Sequence, residues 1–284
     1  MKKIFGIVFS FIILSLPVFS AENVEWTTKT GLERVEKIGK NLLTKNNLPT
    51  QVTFSVVETD EINAFASGDN EICVYTGLLK FVENDDELAG VIAHEIGHII
   101  NHHVAKQSII TSLTSHIVSN AKLSAKVRTG AEIAHTLSMR KMSRNDEYEA
   151  DITGVDLITN AGYNPLAMVS VLYKISGNYI DILQTHPSGD KRTMYIYDYI
   201  TYTYPQKLKV KYTSDSYSQF MKYATPIVEK RNASETKLAK FNENQAKLKE
   251  KRIKKMEKYK KKNQISGWQA SYYLLKSLAT TNAQ

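Results

Sequence analysis

The chain is 284 residues long, carries a formal net charge of +8 and contains a single cysteine. One cysteine excludes an intramolecular disulfide, so the fold must rely on a hydrophobic core, for which the chain is long enough. The positive excess is concentrated in residues 237–262, where twelve basic side chains accompany three glutamates for a net charge of +9. The rest of the chain is therefore close to neutral.

The N-terminal segment is typical of a secretory signal peptide. A pair of lysines precedes an apolar run from Ile4 to Leu16, and the small residues Ser20 and Ala21 mark a cleavage point. The run is shorter than the roughly 20 residues that span a bilayer, so an uncleaved anchor is the less favoured alternative. The sequence therefore predicts a signal peptide over residues 1–20 and an exported protein, in the periplasm or at the membrane periphery of the cell envelope.

Three short segments that follow the signal peptide have strand patterns, either alternating or rich in β-branched and aromatic residues. They are Gln51 to Val57, Ile62 to Ala66 and Ile72 to Thr76. Gly68-Asp69-Asn70 is a turn signal between the last two. The sequence predicts a small antiparallel sheet, with Cys73 as a buried strand residue.

A helix is predicted to begin at Asp85. Asn84 is a favourable N-cap, Glu87 follows three residues later, and acidic side chains in the first turn suit the helix dipole. Apolar residues at three- and four-residue intervals then define one buried face: Leu88, Val91, Ile92, Ile96, Ile99 and Ile100. Gly90 and Gly97 are interpreted as points where a second element approaches this helix closely.

The segment His94-Glu95-Ile96-Gly97-His98 matches HExxH, the zinc-peptidase signature. Residues four apart share a helix face, so both imidazoles can reach one tetrahedral ion, with Glu95 beside its open position. The metzincin alternative needs a glycine at position 101 and a histidine at position 104, whereas this chain has Asn101 and Val104. His102 and His103 are interpreted as surface residues of the helix or as supports for a ligand.

A third ligand is predicted on a second helix. Ser143 and Asp146 form a typical helix start. Glu147 and Asp151 are again four residues apart, so this helix offers two carboxylates on one face. Glu147 completes a His₂Glu set with one open position, and Asp151 is placed to orient a ligating imidazole. Glu149 and Asp146 are interpreted as merely solvated side chains.

Further helices are predicted on both sides of this one. Lys106 to Arg140 is helical in composition and links the two ligand helices. Pro165 to Ser176 predicts another helix, which Asn164 caps.

The motifs together resemble a known family. HEIGH is followed by SRxxExEAD and then by Thr185-His186-Pro187 with Arg192, in the order found in the gluzincin-type metallopeptidases that include the CAAX prenyl protease, HtpX, LoiP and BepA. The resemblance covers roughly residues 30–200. It implies an α+β, predominantly helical fold with a zincin-like catalytic domain, and one Zn²⁺ per chain.

The resemblance also implies a role for each matching residue. The zinc ligands are matched by His94, His98 and Glu147. Glu95 matches the general base, and Asp151 matches the acid that supports the ligands. In that chemistry the base takes a proton from the attacking water and passes it to the leaving amine.

The cleft of such an enzyme also needs a group that stabilises the developing oxyanion. His186 is the first candidate and Arg192 the second, because both match the HPxxxxR segment that lines the cleft in the family. His186 alternatively masks the metal. The strand segment Asn63 to Ala66 is a candidate for pairing with an extended substrate, although it is also explained as cover for the helix.

The C-terminal part has a different character. Residues 237–262 predict a long helix, in which glutamate recurs every seven residues beside a thin apolar line. This helix either keeps the protein soluble or contacts an anionic membrane surface through Lys237 to Lys262. Export argues against nucleic acid as a partner. The predicted organisation is a signal peptide at 1–20, a zinc metallopeptidase domain at 21–205 and a Lys-rich helical extension at 206–284.

Two functions are compatible with these features. The first is a secreted zinc-dependent metalloendopeptidase that hydrolyses peptide bonds in envelope protein quality control. The motifs support the hydrolysis, and only the resemblance implies the substrates. The alternative is a chaperone-like or surface-adhering binding protein, in which the basic helix acts and the metal site is structural or silenced by His186.

Overall fold

The computed structural model describes residues 27–106, 142–178, 186 and 189–263. The predicted signal peptide, nearly all of the predicted linking helix and the chain after residue 263 lie outside this range. The described helices are α1 (Thr28–Lys45), α2 (Thr76–Phe81), α3 (Asp85–Ile100), α4 (Arg144–Asn160), α5 (Leu166–Asn178), α6 (Asp190–Thr203), the 3₁₀ helix η1 (Pro205–Lys209), α7 (Asp215–Asn232) and α8 (Glu235–Lys262). Among the described residues, none of these helices has the length and apolar character needed to cross a bilayer.

The sheet is mixed rather than antiparallel. Its strands are β1 (Thr53–Val57), β2 (Ala64–Ala66) and β3 (Glu71–Tyr75), in the order β1-β3-β2. β2 and β3 pair antiparallel as predicted, but β1 and β3 are parallel, so the prediction of an antiparallel sheet is wrong for that pair. The reason is the order of the strands. β3 follows β1 and β2 in the chain but lies between them in the sheet, antiparallel to β2 and parallel to β1. Cys73 is buried in β3, as predicted.

The two predicted ligand helices begin where the capping signals place them. The Asn84 side chain accepts a hydrogen bond of 2.9 Å from the Glu87 amide at the start of α3. The Ser143 hydroxyl accepts one of 3.2 Å from the Asp146 amide at the start of α4. Each bond satisfies a backbone donor that the helix itself leaves free, which fixes the first turn and the register of the ligands behind it.

Glycines allow α3 to lie against α4 and α5 at backbone distance. A Cβ atom added at Gly97 would lie 2.7 Å from the carbonyl oxygen of Ala150, and one at Gly90 would lie 3.4 Å from Cα of Met168. Any larger residue at position 97 would therefore push the helices apart. The predicted role is confirmed at Gly97, whereas a Cβ atom at position 90 would make an ordinary van der Waals contact. The contact at Ala150 brings Glu147 and Asp151 toward the histidines of α3.

The C-terminal helices pack on the same hydrophobic core. α7 lies against α5 through the buried Phe220, and α8 lies against α6 and α7. Tyr259 of α8 is buried, and its hydroxyl is hydrogen-bonded to the hydroxyl of Thr50, which precedes β1. The predicted long basic helix is thus present, and its inner face is in contact with the rest of the described fold.

Candidate metal centre

The two histidines of HExxH point their Nε2 atoms into one buried space. The Nε2 atoms of His94 and His98 are 3.0 Å apart, and the side chains are 8% and 0% exposed. This closeness follows from the one-turn separation that the sequence predicted, because residues i and i+4 project from the same helix face.

Glu147 reaches the same space from α4. Its Oε1 atom lies 3.3 Å from Nε2 of His98, and its Oε2 atom lies 3.5 Å from Nε2 of His94. His186 is the fourth member, since its Nδ1 atom is 3.3 Å from Nε2 of His94 and 3.1 Å from Oε1 of Glu147. One ligand atom from each of these four residues lies within 4.8 Å of every other.

These separations match the geometry of a tetrahedral zinc site. Nitrogen and oxygen ligands bind Zn²⁺ at about 2.0 to 2.1 Å, so ligand atoms at two corners of a tetrahedron lie about 3.3 to 3.4 Å apart. The observed separations between neighbouring ligand atoms of the four side chains run from 3.0 to 3.5 Å. The donor set of two or three imidazoles and one carboxylate is also one that zinc prefers, so the residues fit the ion.

The electrostatics of the cluster favour a bound cation. Burial opposes the charge on His94, but hydrogen bonds with Asp151 and Glu147 outweigh it and raise the pKa of His94 to about 10. Burial lowers the pKa of His98 to about 3. Burial alone would raise the pKa of Glu147, yet the Arg192 guanidinium and His186 hold it well below its ordinary value. The neutral His98 and the ionised Glu147 are thus in the protonation states that bind a metal ion, and a divalent cation at His94 would replace its extra proton.

Asp151 and Arg192 hold one side of the cluster. The Nδ1 atom of His94 is 2.9 Å from Oδ1 of Asp151, which orients the imidazole with its other nitrogen toward the centre. Arg192 donates to both oxygens of Asp151, at 2.5 and 2.7 Å, and its Nη1 atom lies 2.7 Å from Oε2 of Glu147. Arg192 lines the cleft as expected, but its buried guanidinium is engaged by these carboxylates.

His98 is supported by His103 and, through it, by Glu149. Its Nδ1 atom is 3.0 Å from Nδ1 of His103, and Nε2 of His103 is 3.1 Å from Oε2 of Glu149. The interpretation of Glu149 and Asp146 as merely solvated is wrong. Glu149 is bonded to His103 and, through its other oxygen, to Lys255 of α8 at 2.5 Å. Asp146 accepts a hydrogen bond of 2.5 Å from the Ser143 hydroxyl and lies 3.6 Å from Nε2 of His103. The hydrogen bond from His103 lowers the pKa of Glu149 to about 2.

The backbone after α3 explains why His103 returns to the helix. His102 adopts a left-handed conformation with φ of 58°, which ends α3 and reverses the chain. Asn101 fixes this reversal, because its side-chain amide donates to the carbonyl of Gly97 at 2.7 Å and to the hydroxyl of Thr153 at 2.9 Å. His102 itself is exposed, whereas His103 is 3% exposed. Of the two roles predicted for His103, a surface residue or a support for a ligand, its contact with His98 confirms the second.

Glu95 lies between the cluster and the sheet edge. Its side chain is 2% exposed, and burial raises its pKa, while His186 and His94 act in the opposite direction. Its carboxylate accepts a hydrogen bond from the backbone of Ala66 at the end of β2. A buried carboxyl group with a raised pKa suits a residue that must accept and then return a proton near neutral pH.

An apolar cleft opens beside these polar groups. His94, Glu95, His186 and Arg192 lie on its wall. The rest of the lining comes mainly from α3 and α5: Gly90, Val91, Met168, Val171, Leu172 and Ile175. A concave apolar surface with a few converging polar groups is the usual form of a binding site.

Comparison with known proteins agrees with the motifs. Residues 31–199 match the model of Peptidase family M48. The beta-barrel assembly-enhancing protease of Yersinia pestis is 28% identical over 182 residues, 56% of this chain and 36% of the relative. The mitochondrial metalloendopeptidase OMA1 of Arabidopsis thaliana is 37% identical over 143 residues, 49% of this chain and 29% of the relative.

The metalloprotease LoiP of Escherichia coli (strain K12) is 29% identical over 165 residues, 54% of this chain and 65% of the relative. The match with the first two relatives thus spans about a third of their length. The family model covers more than half of this chain, including every residue of the metal cluster. The chain therefore belongs to peptidase family M48.

Proposed function

We propose that this protein is a zinc-dependent metalloendopeptidase. The observation that carries the proposal is the convergence of His94, His98 and Glu147 at tetrahedral ligand separations, with Glu95 buried at the edge of the same space. Asp151 and Arg192 orient the ligands from outside. Membership of a peptidase family supports hydrolysis of peptide bonds as the reaction.

The roles of the side chains follow from their positions. A bound zinc ion supplies Lewis acidity, which makes water a stronger acid and polarises a peptide carbonyl. Glu95 accepts the proton of the attacking water and delivers it to the leaving amine. Arg192 keeps Oε2 of Glu147 occupied, which leaves Oε1 directed toward the imidazole nitrogens. Its contacts favour a positioning role over direct contact with the oxyanion.

His186 has two candidate roles in this reaction. Its Nδ1 atom takes the fourth corner of the cluster, which is where a catalytic site needs water. Its buried Nε2 atom has no hydrogen-bond partner among the described residues, and it lies 3.6 Å from Oε1 of Glu95. The first contact favours masking of the metal, and the free nitrogen favours a donor to the oxyanion.

The variant His186→Ala separates these roles. Removal of a mask raises peptidase activity. Loss of an oxyanion donor lowers kcat by about 10² to 10³ instead. Single-turnover cleavage of a fluorogenic peptide at saturating zinc distinguishes the two outcomes.

The substrate is proposed to lie along β2 as an additional strand. The amide of Ser67 and the carbonyl of Asn63 bond to β3, so the backbone groups of Ala64 and Ala66 face the other edge. Ala66 at that edge already contacts Glu95, which places an extended peptide close to the base. The apolar cleft beside the cluster then accepts an apolar side chain of the substrate.

The cellular role is proposed from the relatives. The Yersinia pestis relative is named for enhancing the assembly of β-barrels, and the predicted signal peptide suits export. We infer an envelope location, periplasmic or membrane-peripheral, and a role in protein quality control there. Detection of the mature N-terminus in a periplasmic fraction tests the location, and retention of residues 1–20 in a cytoplasmic fraction contradicts it.

Peripheral contact with an anionic membrane is proposed for the outer face of α8. Exposed lysines follow this face at spacings of three and four residues from position 247 onward, and one more lies two turns earlier: Lys240, Lys247, Lys251, Lys254, Lys258 and Lys261. Such a stripe attracts acidic headgroups in a salt-dependent manner. Sedimentation with phosphatidylglycerol vesicles tests it, and equal sedimentation with neutral phosphatidylcholine vesicles contradicts it.

The variant Glu95→Gln tests the proposed reaction. The amide keeps the size of the side chain but cannot accept the proton, so casein cleavage falls at least about 100-fold. Zinc content stays at the wild-type value because Glu95 is not a ligand. Chelator-sensitive cleavage that survives in Glu95→Gln rejects Glu95 as the general base. A zinc-loaded wild type and a zinc-loaded His186→Ala that both fail to cleave reject the enzyme and favour a binding protein.

A further inference from the structure

His98 is one end of a row of four side chains that reaches the C-terminal helix α8. The contacts run from Nδ1 of His98 to His103 at 3.0 Å, from His103 to Glu149 at 3.1 Å, and from Glu149 to Nζ of Lys255 at 2.5 Å. The side chains of His98 and His103 are 0% and 3% exposed, whereas those of Glu149 and Lys255 are 28% and 36% exposed. The row therefore connects the buried centre to the protein surface.

The carboxylate of Glu149 fixes the direction of every hydrogen bond in this row. An ionised carboxylate only accepts, so Nε2 of His103 donates to it. With one proton on its ring, His103 then accepts at Nδ1, and Nδ1 of His98 must be the donor. The Nε2 atom of His98 is thereby left with a free lone pair, directed toward Glu147 and His94. This is the tautomer that a metal ligand requires.

Helix α8 is held on both sides of Lys255 by contacts of its own. Nε of Arg252 lies 3.5 Å from Oδ2 of Asp156, and Tyr259 is buried and hydrogen-bonded to Thr50. These two anchors set the rotation of the helix. As a result Lys255 points inward to Glu149, while the adjacent Lys254 is exposed and pairs with Glu250 on the same helix.

We propose that α8 strengthens metal binding at the centre. Its Lys255 acts through Glu149 and His103 to hold His98 in its metal-binding orientation. His103 is the positioning residue of this row. The inference rests on the proposed zinc site. It extends that proposal because it gives the basic C-terminal helix an effect on the metal, apart from any contact of its outer face with a membrane.

Zinc affinity measured by competition with a chromogenic chelator tests the role of His103. The full mature chain with His103→Leu loses both hydrogen bonds and binds zinc about 10- to 100-fold more weakly. His103→Gln keeps one acceptor and one donor in a side chain of similar reach, and it recovers part of the loss. Equal affinities of His103→Leu, His103→Gln and the wild type overturn the proposal.

The far end of the row has a matched control on the same helix. Lys255→Met removes the ion pair with Glu149 and weakens zinc binding by a few fold. Lys254→Met removes the same charge one residue earlier and leaves zinc affinity unchanged. If both variants bind zinc as the wild type does, α8 has no effect on the centre and the proposal is wrong.

Linkage supplies a second readout that does not depend on activity. If docking of α8 strengthens zinc binding, zinc must stabilise the docking of α8 by the same factor. Backbone amides in residues 250–262 of the wild type therefore exchange more slowly with deuterium when zinc is added, and this slowing is lost in Glu149→Gln. Exchange that is indifferent to zinc in the wild type contradicts the coupling.

The outcomes separate this inference from the proposed function. If the wild type binds one zinc per chain and substitutions at positions 103, 149 and 255 leave its zinc affinity unchanged, the metal site stands and the coupling to α8 is rejected. A wild type that binds no zinc rejects both.

Discussion

The α3–α4 interface and the outer face of α8 are both rich in charged groups, and they differ in what surrounds the charges. At the interface, Asp151, Glu147 and Arg192 are almost fully buried, and each contacts a defined partner within 3 Å. On α8, Glu243 and Glu250 are exposed and pair with lysines one turn along the same helix. A buried charge needs its particular partner, whereas an exposed one exchanges its partner for water at little cost.

The largest expected effect comes from removing a partner at the interface. Asp151→Ala leaves the buried Arg192 guanidinium without its main acceptor, and loss of one member of a buried pair costs about 3 to 5 kcal/mol. Chemical denaturation measures the loss in the free energy of unfolding. The exposed Asp60, which pairs with Lys80 at the surface, provides the control, and Asp60→Ala should leave the midpoint unchanged. Equal midpoints for the two variants would remove the distinction between the regions.

The next effect tests the close approach of the helices. Gly97→Ala places a methyl group 2.7 Å from the carbonyl oxygen of Ala150, and overpacking of this kind costs about 1 to 3 kcal/mol. Zinc content should fall with stability, because α4 carries Glu147 away from the histidines. Gly177→Ala adds the same methyl group in α5, where no atom of the described residues outside the helix's own backbone lies within 4 Å, and is expected to be neutral or slightly stabilising. A stable, zinc-loaded Gly97→Ala would refute the spacing argument.

A smaller effect is expected in the dependence of stability on acidic pH. It arises at Glu149, where α8 meets the α3–α4 interface. The pKa of Glu149 is lowered from 4.5 to about 2 by the hydrogen bond from His103 and by Lys255. A carboxyl group with a depressed folded-state pKa contributes stability that is complete above the unfolded value and disappears as the pH falls through the folded value. Stability should therefore decline more steeply between pH 4.5 and about 2 in the wild type than in Glu149→Gln. Parallel thermal unfolding profiles over this range would contradict the assignment.

The smallest effect is expected on the outer face of α8. The double variant Glu250→Gln, Lys254→Gln removes an exposed pair that is screened by water, so the thermal midpoint and the zinc content should both match the wild type. Differential scanning calorimetry and metal analysis check this. A clear loss of either would show that the exposed face is coupled to the interior through a route other than Lys255.

The same contrast explains how much the sequence could predict. Capping residues Asn84 and Ser143 gave the starts of the ligand helices, and the i, i+4 pairs gave the side chains that point inward. These are local patterns, in which a few neighbouring residues determine the structure. The convergence of Glu147 on the histidines needed the family resemblance as well, because about fifty residues separate the two motifs.

The features that were missed depend on contacts between distant parts of the chain. The parallel pairing of β1 with β3 follows from the order in which strands return to the sheet, which the alternation of side chains does not encode. Glu149 was taken as solvated because its partner His103 lies after a chain reversal at a left-handed His102, and its other partner Lys255 lies in a helix whose composition suggests only a solvated surface.

Zinc stoichiometry of the wild type beside Glu147→Ala tests the central claim most directly. We expect one zinc per wild-type chain and a large loss in the variant, because Glu147 is the ligand that α4 brings to the HExxH pair. Glu83→Ala, which changes an exposed glutamate just before α3, serves as the control and should retain the metal. Full zinc occupancy in Glu147→Ala, or none in the wild type, would contradict the proposed centre.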